Sequence, residues 1–121
     1  MALATVLVVD DYDEIRELTE AILSSAGYRV LSAGDAESAL TLAAAHPEGI
    51  DLLVSDVSLP GMHGADLARA LLKTMPRMRV VLTSGSLPEP GDEPVPGTKF
   101  LQKPFVAEML LSAISETLGS P

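Results

Sequence analysis

The residues VLVVDD at positions 6–11 place four aliphatic side chains directly before two aspartates. A short, unbroken aliphatic run that is rich in valine is typical of a strand buried on both faces, as the strands of parallel sheets are. We therefore predict that the first strand runs over 5–9. Asp10 and Asp11 then lie at its carboxyl end.

Short apolar runs of this kind alternate with amphipathic segments five times along the chain. The alternation is the pattern of βα units in a parallel sheet that helices cover on both faces. Asp13 is expected to cap the first helix, and Met109 is expected to face inward from the last. The predicted fold class is α/β, with a five-stranded parallel sheet, and the order 2-1-3-4-5 is the one that would bring the carboxyl ends of its strands to a single crevice. The predicted strands are 5–9, 29–32, 50–55, 80–83 and 99–102, and the predicted helices are 13–26, 35–46, 64–75 and 106–118.

The segment SLPEPGDEPVPG at 86–97 departs from this alternation, because it carries prolines at positions 88, 90, 94 and 96. Proline removes a backbone donor and moves the residue before it away from helical angles. We therefore expect the helix between the fourth and fifth strands to be shortened or replaced by a Pro-rich loop.

Composition restricts the classes of function. The 121 residues suit a single domain over 1–121, with a polar tail at 119–121. With 17 acidic and 8 basic residues, the net charge of −9 argues against direct binding to nucleic acid or to an acidic membrane surface. The absence of cysteine excludes disulfides and thiolate metal sites. No apolar run approaches the length of a membrane span, and we expect a cytoplasmic protein.

Polar side chains follow four of the predicted strands. In an open parallel sheet, ligands bind beyond the carboxyl ends of the strands, so these residues are expected to share one crevice. Carboxylates brought together repel each other unless a cation compensates, and oxygen ligands without His or Cys suit Mg²⁺, with Mn²⁺ as the alternative ion. A lysine and a hydroxyl nearby would bind the oxygens of a phosphoryl group, so the site is predicted to carry out phosphoryl chemistry at a carboxylate. The residues are Asp10, Asp11, Asp56, Thr83 and Lys103.

Four motifs then carry a resemblance to a known family. The residues VLVVDD at 6–11, LLVSDVSLPGMHG at 52–64, VVLTSG at 80–85 and FLQKPF at 100–105 resemble the receiver domain of two-component response regulators. The match covers essentially the whole chain in order and spacing. It implies a flavodoxin-like three-layer sandwich that works as a phosphoacceptor in a phosphorelay.

The resemblance also implies a role for each site residue. Asp56 corresponds to the aspartate that takes a phosphoryl group from a histidine kinase. Asp11 and Asp56 would ligate Mg²⁺ directly, the backbone carbonyl of Ser58 would be a third ligand, and Asp10 would act mostly through water. His63, a single histidine in a Gly-rich loop, is not expected to bind metal.

Further roles concern the phosphoryl group and the response to it. Lys103 would bind a phosphoryl oxygen, and its bond to Pro104 is usually cis in the family. Thr83 would move toward the phosphoryl group, and Phe100 stands at the position of the aromatic side chain that turns inward when that threonine moves. Ser58 and Gly85 are small and should shield the acyl phosphate poorly, so the phosphorylated state is expected to be short-lived.

The implied partner is a sensor histidine kinase or a histidine phosphotransfer protein. The domain would catalyse its own phosphorylation and dephosphorylation without turning over a separate substrate. Receivers usually dimerise through the helix between their fourth and fifth strands. A monomer is expected here, because the Pro-rich segment occupies that place. Three alternatives stay open: a receiver fragment of a hybrid sensor histidine kinase, an interaction module that does not use phosphate, and a phosphatase with an aspartate nucleophile.

Overall fold

A parallel sheet with two helices on each face organises the computed structural model, which describes residues 4–86, 88–89 and 93–119. In chain order the elements are β1 (Thr5–Val9), α1 (Asp13–Ser25), β2 (Arg29–Ala33), α2 (Ala36–Ala44), β3 (Leu52–Asp56), β4 (Ser58–Leu59), β5 (Met62–His63), α3 (Gly64–Leu72), β6 (Arg79–Ser84), β7 (Lys99–Gln102) and α4 (Ala107–Leu118).

The order of the main sheet is β2-β1-β3-β6-β7, and all of its pairs are parallel. Because β4 and β5 form a separate antiparallel hairpin, this is the predicted order 2-1-3-4-5, and the prediction is confirmed. The register pairs Asp56 at the end of β3 with Thr83 of β6. The carboxyl ends of the strands therefore meet at one edge, as the sequence predicts.

Side chains of the strands alternate between two hydrophobic cores. Leu7, Val9 and Leu53 face a core that includes Leu67 and Leu71 of α3. On the other face, strand residues contact Leu23 of α1 and Leu110 and Ile114 of α4; these strand residues are Val6, Val8, Leu52, Val54 and Val81. Because helices cover both faces of the sheet, neither face of a central strand meets water. This explains the unbroken aliphatic run at 6–9.

Two predictions for the helices are wrong. Asp13 does not cap α1: Tyr12 is the N-cap residue without a side-chain hydrogen bond, and Asp13 lies in the first turn. Met109 is 48% exposed, whereas its neighbour Leu110 is fully buried. The apolar residues of α4 extend around more of the helix than the face that packs against the sheet. Asp35 does cap α2, accepting a 2.7 Å hydrogen bond from the Ser38 amide, and this bond lowers the Asp35 pKa.

The hairpin between β3 and α3 was not predicted as a strand pair. Ser58 pairs with His63 and Leu59 with Met62. Gly61 in the turn has a φ of +76°, a backbone conformation that glycine adopts without the steric cost of a Cβ atom. Pro60 and Gly61 therefore lie in the turn of a hairpin directly beyond Asp56.

The Pro-rich segment joins β6 to β7. Of its residues, 86, 88–89 and 93–97 are described and none of these is helical, whereas 87 and 90–92 lie outside the described residues. Val95 packs against the core on the α2 and α3 face, and its carbonyl accepts a 2.6 Å hydrogen bond from the Thr98 hydroxyl. The predicted tail at 119–121 is described only at Gly119.

Among the residues that the structure describes, no helix is both long enough and apolar enough to cross a membrane.

Candidate functional site

Three carboxylates converge at the carboxyl edge of the sheet. Asp10 follows β1, Asp11 is the next residue in the turn toward α1, and Asp56 is the last residue of β3. One carboxylate oxygen from each lies within 4.8 Å of the others. Asp10 and Asp56 are buried, at 4% and 8% exposure, whereas Asp11 is exposed to solvent. The fold thus brings Asp56 to two adjacent aspartates that precede it by 45 positions or more in the chain.

Lys103 bridges the two buried carboxylates. Its ammonium nitrogen Nζ lies 2.8 Å from Asp10 Oδ2 and 2.9 Å from Asp56 Oδ2. The Lys103 amide donates a 2.8 Å hydrogen bond to the Ser84 carbonyl, and the bond from Lys103 to Pro104 is cis. Burial lowers the pKa of Lys103, but the hydrogen bonds to Asp10 and Asp56 outweigh that effect, so its pKa is raised.

Main-chain amides hold the remaining oxygens of the buried carboxylates. The Tyr12 amide donates a 3.0 Å hydrogen bond to Asp10 Oδ1, and the Ser58 amide donates one of the same length to Asp56 Oδ1. Each buried carboxylate is therefore bound by one amide and by Lys103. The Ser58 amide is the group in contact, and the proposed ligand role of its carbonyl stays a prediction.

The charge of this cluster suits a divalent cation. Three carboxylates face one ammonium group, which leaves an excess of two negative charges when all four groups are ionised. All three acidic residues offer oxygen, the donor that Mg²⁺ and Mn²⁺ take from proteins. The exposed position of Asp11 leaves room for the water ligands that Mg²⁺ retains. The residues therefore fit the expected metal.

Thr83 lies beside Asp56 on the next strand, and Phe100 lies one strand further along the sheet. Thr83 is buried, and its carbonyl accepts a 2.9 Å hydrogen bond from the Val57 amide, directly after Asp56. Phe100 on β7 pairs with Leu82 and packs, partly buried, against the core on the α2 and α3 face. The switch roles of Thr83 and Phe100 stay predictions.

Two contacts beyond Asp56 were missed by the sequence reasoning. A Cβ atom on Gly64 would collide with the Asp56 carbonyl oxygen, so only glycine fits at the start of α3. His63 caps the same helix, because its Nδ1 atom accepts a 3.0 Å hydrogen bond from the Ala65 amide. A glycine immediately before a helical period is the signal that could have indicated the close approach.

An exposed apolar surface adjoins the site. Leu18 of α1 is 58% exposed although its spacing matches the buried stripe of that helix. It borders a cavity of about 370 Å³ between α1 and the segment after β7, lined by Ile15, Leu18, Thr19, Lys103, Pro104 and Phe105. Since Lys103 lines this cavity and also contacts Asp56, the apolar surface and the carboxylates are continuous.

Comparisons with known proteins agree with this geometry. A family model of the response regulator receiver domain matches residues 6–115. The sensor kinase CckA of Brucella abortus (strain 2308) is 35% identical over 118 residues, which are 95% of this chain and 12% of that kinase. This chain therefore spans a small part of that relative's length.

Solved structures show the same similarity. The receiver domain from the hybrid histidine kinase CckA has a TM-score of 0.83 at 32% identity, covering 95% of this chain and 99% of that one. The chemotaxis response regulator CheY4 of Vibrio cholerae has a TM-score of 0.86 at 28% identity, covering 96% and 99%. Both kinds of relative, a kinase-attached domain and a response regulator, therefore share this fold.

Proposed function

This chain belongs to the family of response regulator receiver domains, and on that basis we propose that Asp56 accepts a phosphoryl group from a histidine in a Mg²⁺-dependent reaction. The observation that carries the proposal is the contact of the Asp56 carboxylate with Lys103 Nζ at 2.9 Å, within a cluster that includes Asp10 and Asp11. We also propose that residues 1–121 form a single receiver domain.

The proposed transfer is a displacement at phosphorus. An Asp56 carboxylate oxygen forms the new bond to phosphorus, the bond from phosphorus to the donor's imidazole nitrogen breaks, and that nitrogen keeps the electron pair. Lys103, already beside the acceptor oxygen, binds an oxygen of the transferred group. Thr83 would donate its hydroxyl to another. In the later hydrolysis, a water oxygen forms the new bond to phosphorus, the bond from phosphorus to the Asp56 oxygen breaks, and inorganic phosphate leaves while the carboxylate is restored.

The three carboxylates have a separate role in this proposal. Asp10, Asp11 and Asp56 would hold Mg²⁺, with Mn²⁺ able to replace it, and the ion would neutralise charge on the acceptor and on the phosphoryl oxygens. Because small residues, Ser58 and Gly85, flank the site, we expect water to reach the phosphoryl group and the modified state to be short-lived. The domain would thus modify and restore itself without a separate substrate.

The phosphoryl donor would be a sensor histidine kinase or a histidine phosphotransfer protein in the cytoplasm. The exposed apolar surface beside Lys103 offers such a donor a contact area next to Asp56. A second candidate, a receiver that is part of a hybrid sensor kinase, is favoured by the similarity to the sensor kinase CckA of Brucella abortus. The two candidates share the same chemistry at Asp56.

Labelling by a small phosphodonor tests the proposal. With acetyl phosphate and Mg²⁺, the wild-type protein should gain one phosphoryl group by intact mass, and Asp56→Asn should gain none. Asp66→Asn, which changes an exposed carboxylate on α3, is the matched control and should label like the wild type. Labelling of Asp56→Asn would contradict the proposal.

Two other outcomes would favour the alternatives. Failure of the folded wild type to label from acetyl phosphate and from a phosphorylated kinase would favour an interaction module that does not use phosphate. Repeated hydrolysis of a phosphate ester without stoichiometric labelling would favour a phosphatase.

A further inference from the structure

Arg16 on α1 reaches the acidic turn, which consists of Asp10 and Asp11. Among the described residues, it is the one residue of α1 whose side chain forms a hydrogen bond with the backbone of that turn. Its Nη1 atom donates a 2.9 Å hydrogen bond to the main-chain carbonyl of Asp10, and its Nη2 atom donates a 2.7 Å bond to Asp13 Oδ1. Arg16 therefore ties α1 to the peptide that joins Asp10 to Asp11.

The position of that peptide matters because the two carboxylates depend on it differently. Asp10 is also held by its amide, which donates to the Ala33 carbonyl at 3.2 Å, and by the contacts of its side chain. In the described structure no hydrogen bond or ion pair reaches the exposed Asp11 carboxylate. The backbone at Asp11 is held on both sides, by the Arg16 side chain at the Asp10 carbonyl and by Asp10 Oδ1 at the Tyr12 amide, and the first of these is the contact that α1 supplies through a side chain.

The guanidinium group occupies a fitted position. A Cβ atom on Gly34, in the turn between β2 and α2, would lie 3.1 Å from Arg16 Nη1, so the small residue leaves room for the arginine. The Arg16 side chain carries a charge and belongs to a helix at the surface, yet it is only 20% exposed. A partly buried guanidinium whose two Nη atoms bind separate acceptors fixes geometry better than a mobile surface cation does.

A second arginine in the chain shows what an ordinary helix ion pair looks like here. Arg69 on α3 makes the same i, i+3 contact with Asp66, at 3.0 Å, but its side chain is 42% exposed. Exposed pairs of this kind contribute little to stability. Arg16 differs from Arg69 in its lower exposure, and its contact with the Asp10 carbonyl brings it to the acidic turn.

We propose that Arg16 is a positioning residue of the carboxylate site: by binding the Asp10 carbonyl it orients Asp11 for a divalent cation. The proposal rests on the proposed function, since it assumes that the carboxylates hold Mg²⁺. Residues that orient metal ligands through a hydrogen bond commonly change metal affinity by about 10- to 100-fold when they are replaced.

The sign of the effect separates positioning from simple electrostatics. Removing a positive charge near a cation site should strengthen Mg²⁺ binding. Loss of the hydrogen bond that orients Asp11 should weaken it. For Arg16→Met we therefore expect a Mg²⁺ dissociation constant that is higher by roughly tenfold, measured by isothermal titration calorimetry of the full chain.

Three variants make the comparison complete. Arg69→Met removes the matched helix cation and should leave the dissociation constant within about twofold of the wild type. Asp13→Asn removes only the ion pair and should also bind Mg²⁺ nearly as the wild type does. Arg16→Lys keeps the charge with a single donor group and should lie between the wild type and Arg16→Met. Urea unfolding of each variant confirms that the titrated protein is folded.

The outcomes distinguish this inference from the proposed function. Unchanged or tighter Mg²⁺ binding by folded Arg16→Met, with normal binding by the wild type, overturns the positioning role and leaves the function of Asp56 standing. If Arg16→Met does not fold, Arg16→Lys decides, and wild-type affinity in that variant overturns the proposal. A wild type that binds no Mg²⁺ overturns both.

Discussion

At the scale of single residues, charge balance explains the arrangement around Asp56. Lys103 donates to both buried carboxylates, and main-chain amides complete their hydrogen bonds. Buried charges that are paired and hydrogen-bonded avoid most of the penalty of burial. Asp11 is exposed and lacks such partners among the described residues, so its carboxylate is available to a cation from solution.

Replacing Asp11 tests the metal site without disturbing the core. Because Asp11 is exposed, Asp11→Asn should change the free energy of unfolding without metal by no more than about 0.5 kcal/mol. The wild type should gain about 2.7 kcal/mol when Mg²⁺ is present at a hundred times its dissociation constant, and the variant should lose most of that gain. Urea unfolding with and without Mg²⁺ measures both. Glu37→Gln, an exposed carboxylate on α2, should retain the gain; an equal gain in Asp11→Asn would contradict the prediction.

The raised pKa of Lys103 predicts a dependence of stability on alkaline pH. The protonated lysine is favoured in the folded state, so its contribution to stability is fully present below the ordinary pKa of about 10.5. That contribution should be lost as pH rises through the higher pKa of the folded state. Unfolding measured from pH 9 upward should show this decline in the wild type and in Lys99→Met, which changes an exposed lysine. A decline of the same size in Lys103→Met would show that another group is responsible.

At the scale of elements, the connection from β3 to α3 determines where Asp56 points. The hairpin of β4 and β5 returns the chain to β3, and the Gly64 amide donates a 2.7 Å hydrogen bond to the Val57 carbonyl. The start of α3 is thereby packed directly against the Asp56 carbonyl. The helix and the acceptor strand therefore act as one packed unit.

A methyl group at this junction should be costly. Gly64→Ala should lower the free energy of unfolding by about 1–3 kcal/mol, because the backbone of Asp56 has to move to accept the added carbon. Gly85→Ala is the matched control, since a Cβ atom at Gly85 meets nothing within 4 Å and its φ is not positive. Urea unfolding of the two variants gives the difference. Equal stability of the two would contradict the close packing.

At the scale of the whole molecule, the sheet order brings distant segments into one site. Lys103 and Asp10 are 93 residues apart in the chain and 2.8 Å apart in the fold. The other connections between strands of the main sheet contain a helix. The described part of the connection between β6 and β7 contains none. That connection is instead held to the core through Val95.

This irregular connection predicts the oligomeric state. Because the described residues between β6 and β7 form no helix, the chain should sediment as a monomer both before and after phosphorylation of Asp56. Sedimentation velocity with acetyl phosphate and Mg²⁺, beside Asp56→Asn under the same conditions, measures this. A dimer that forms only in the phosphorylated wild type would count against the prediction.

Much of this protein could be predicted from local patterns. The aliphatic runs predict the five strands, because burial on both faces of a parallel sheet requires such runs. The residues that follow those strands predict the members of the site, since parallel strands end at a common edge. The prolines at 88, 94 and 96 likewise lie in a connection where the described residues are not helical.

Other features depended on distances between segments and were decided only by the folded chain. Arg16 looks like one more charge on a surface helix, and its contact with the Asp10 carbonyl exists because the turn after β1 passes beside α1. Leu18 and Met109 fit helical apolar stripes and are nevertheless exposed. A helical period states which residues share a face, but the neighbouring elements determine how much of that face is covered, and this coverage is a property of the tertiary structure.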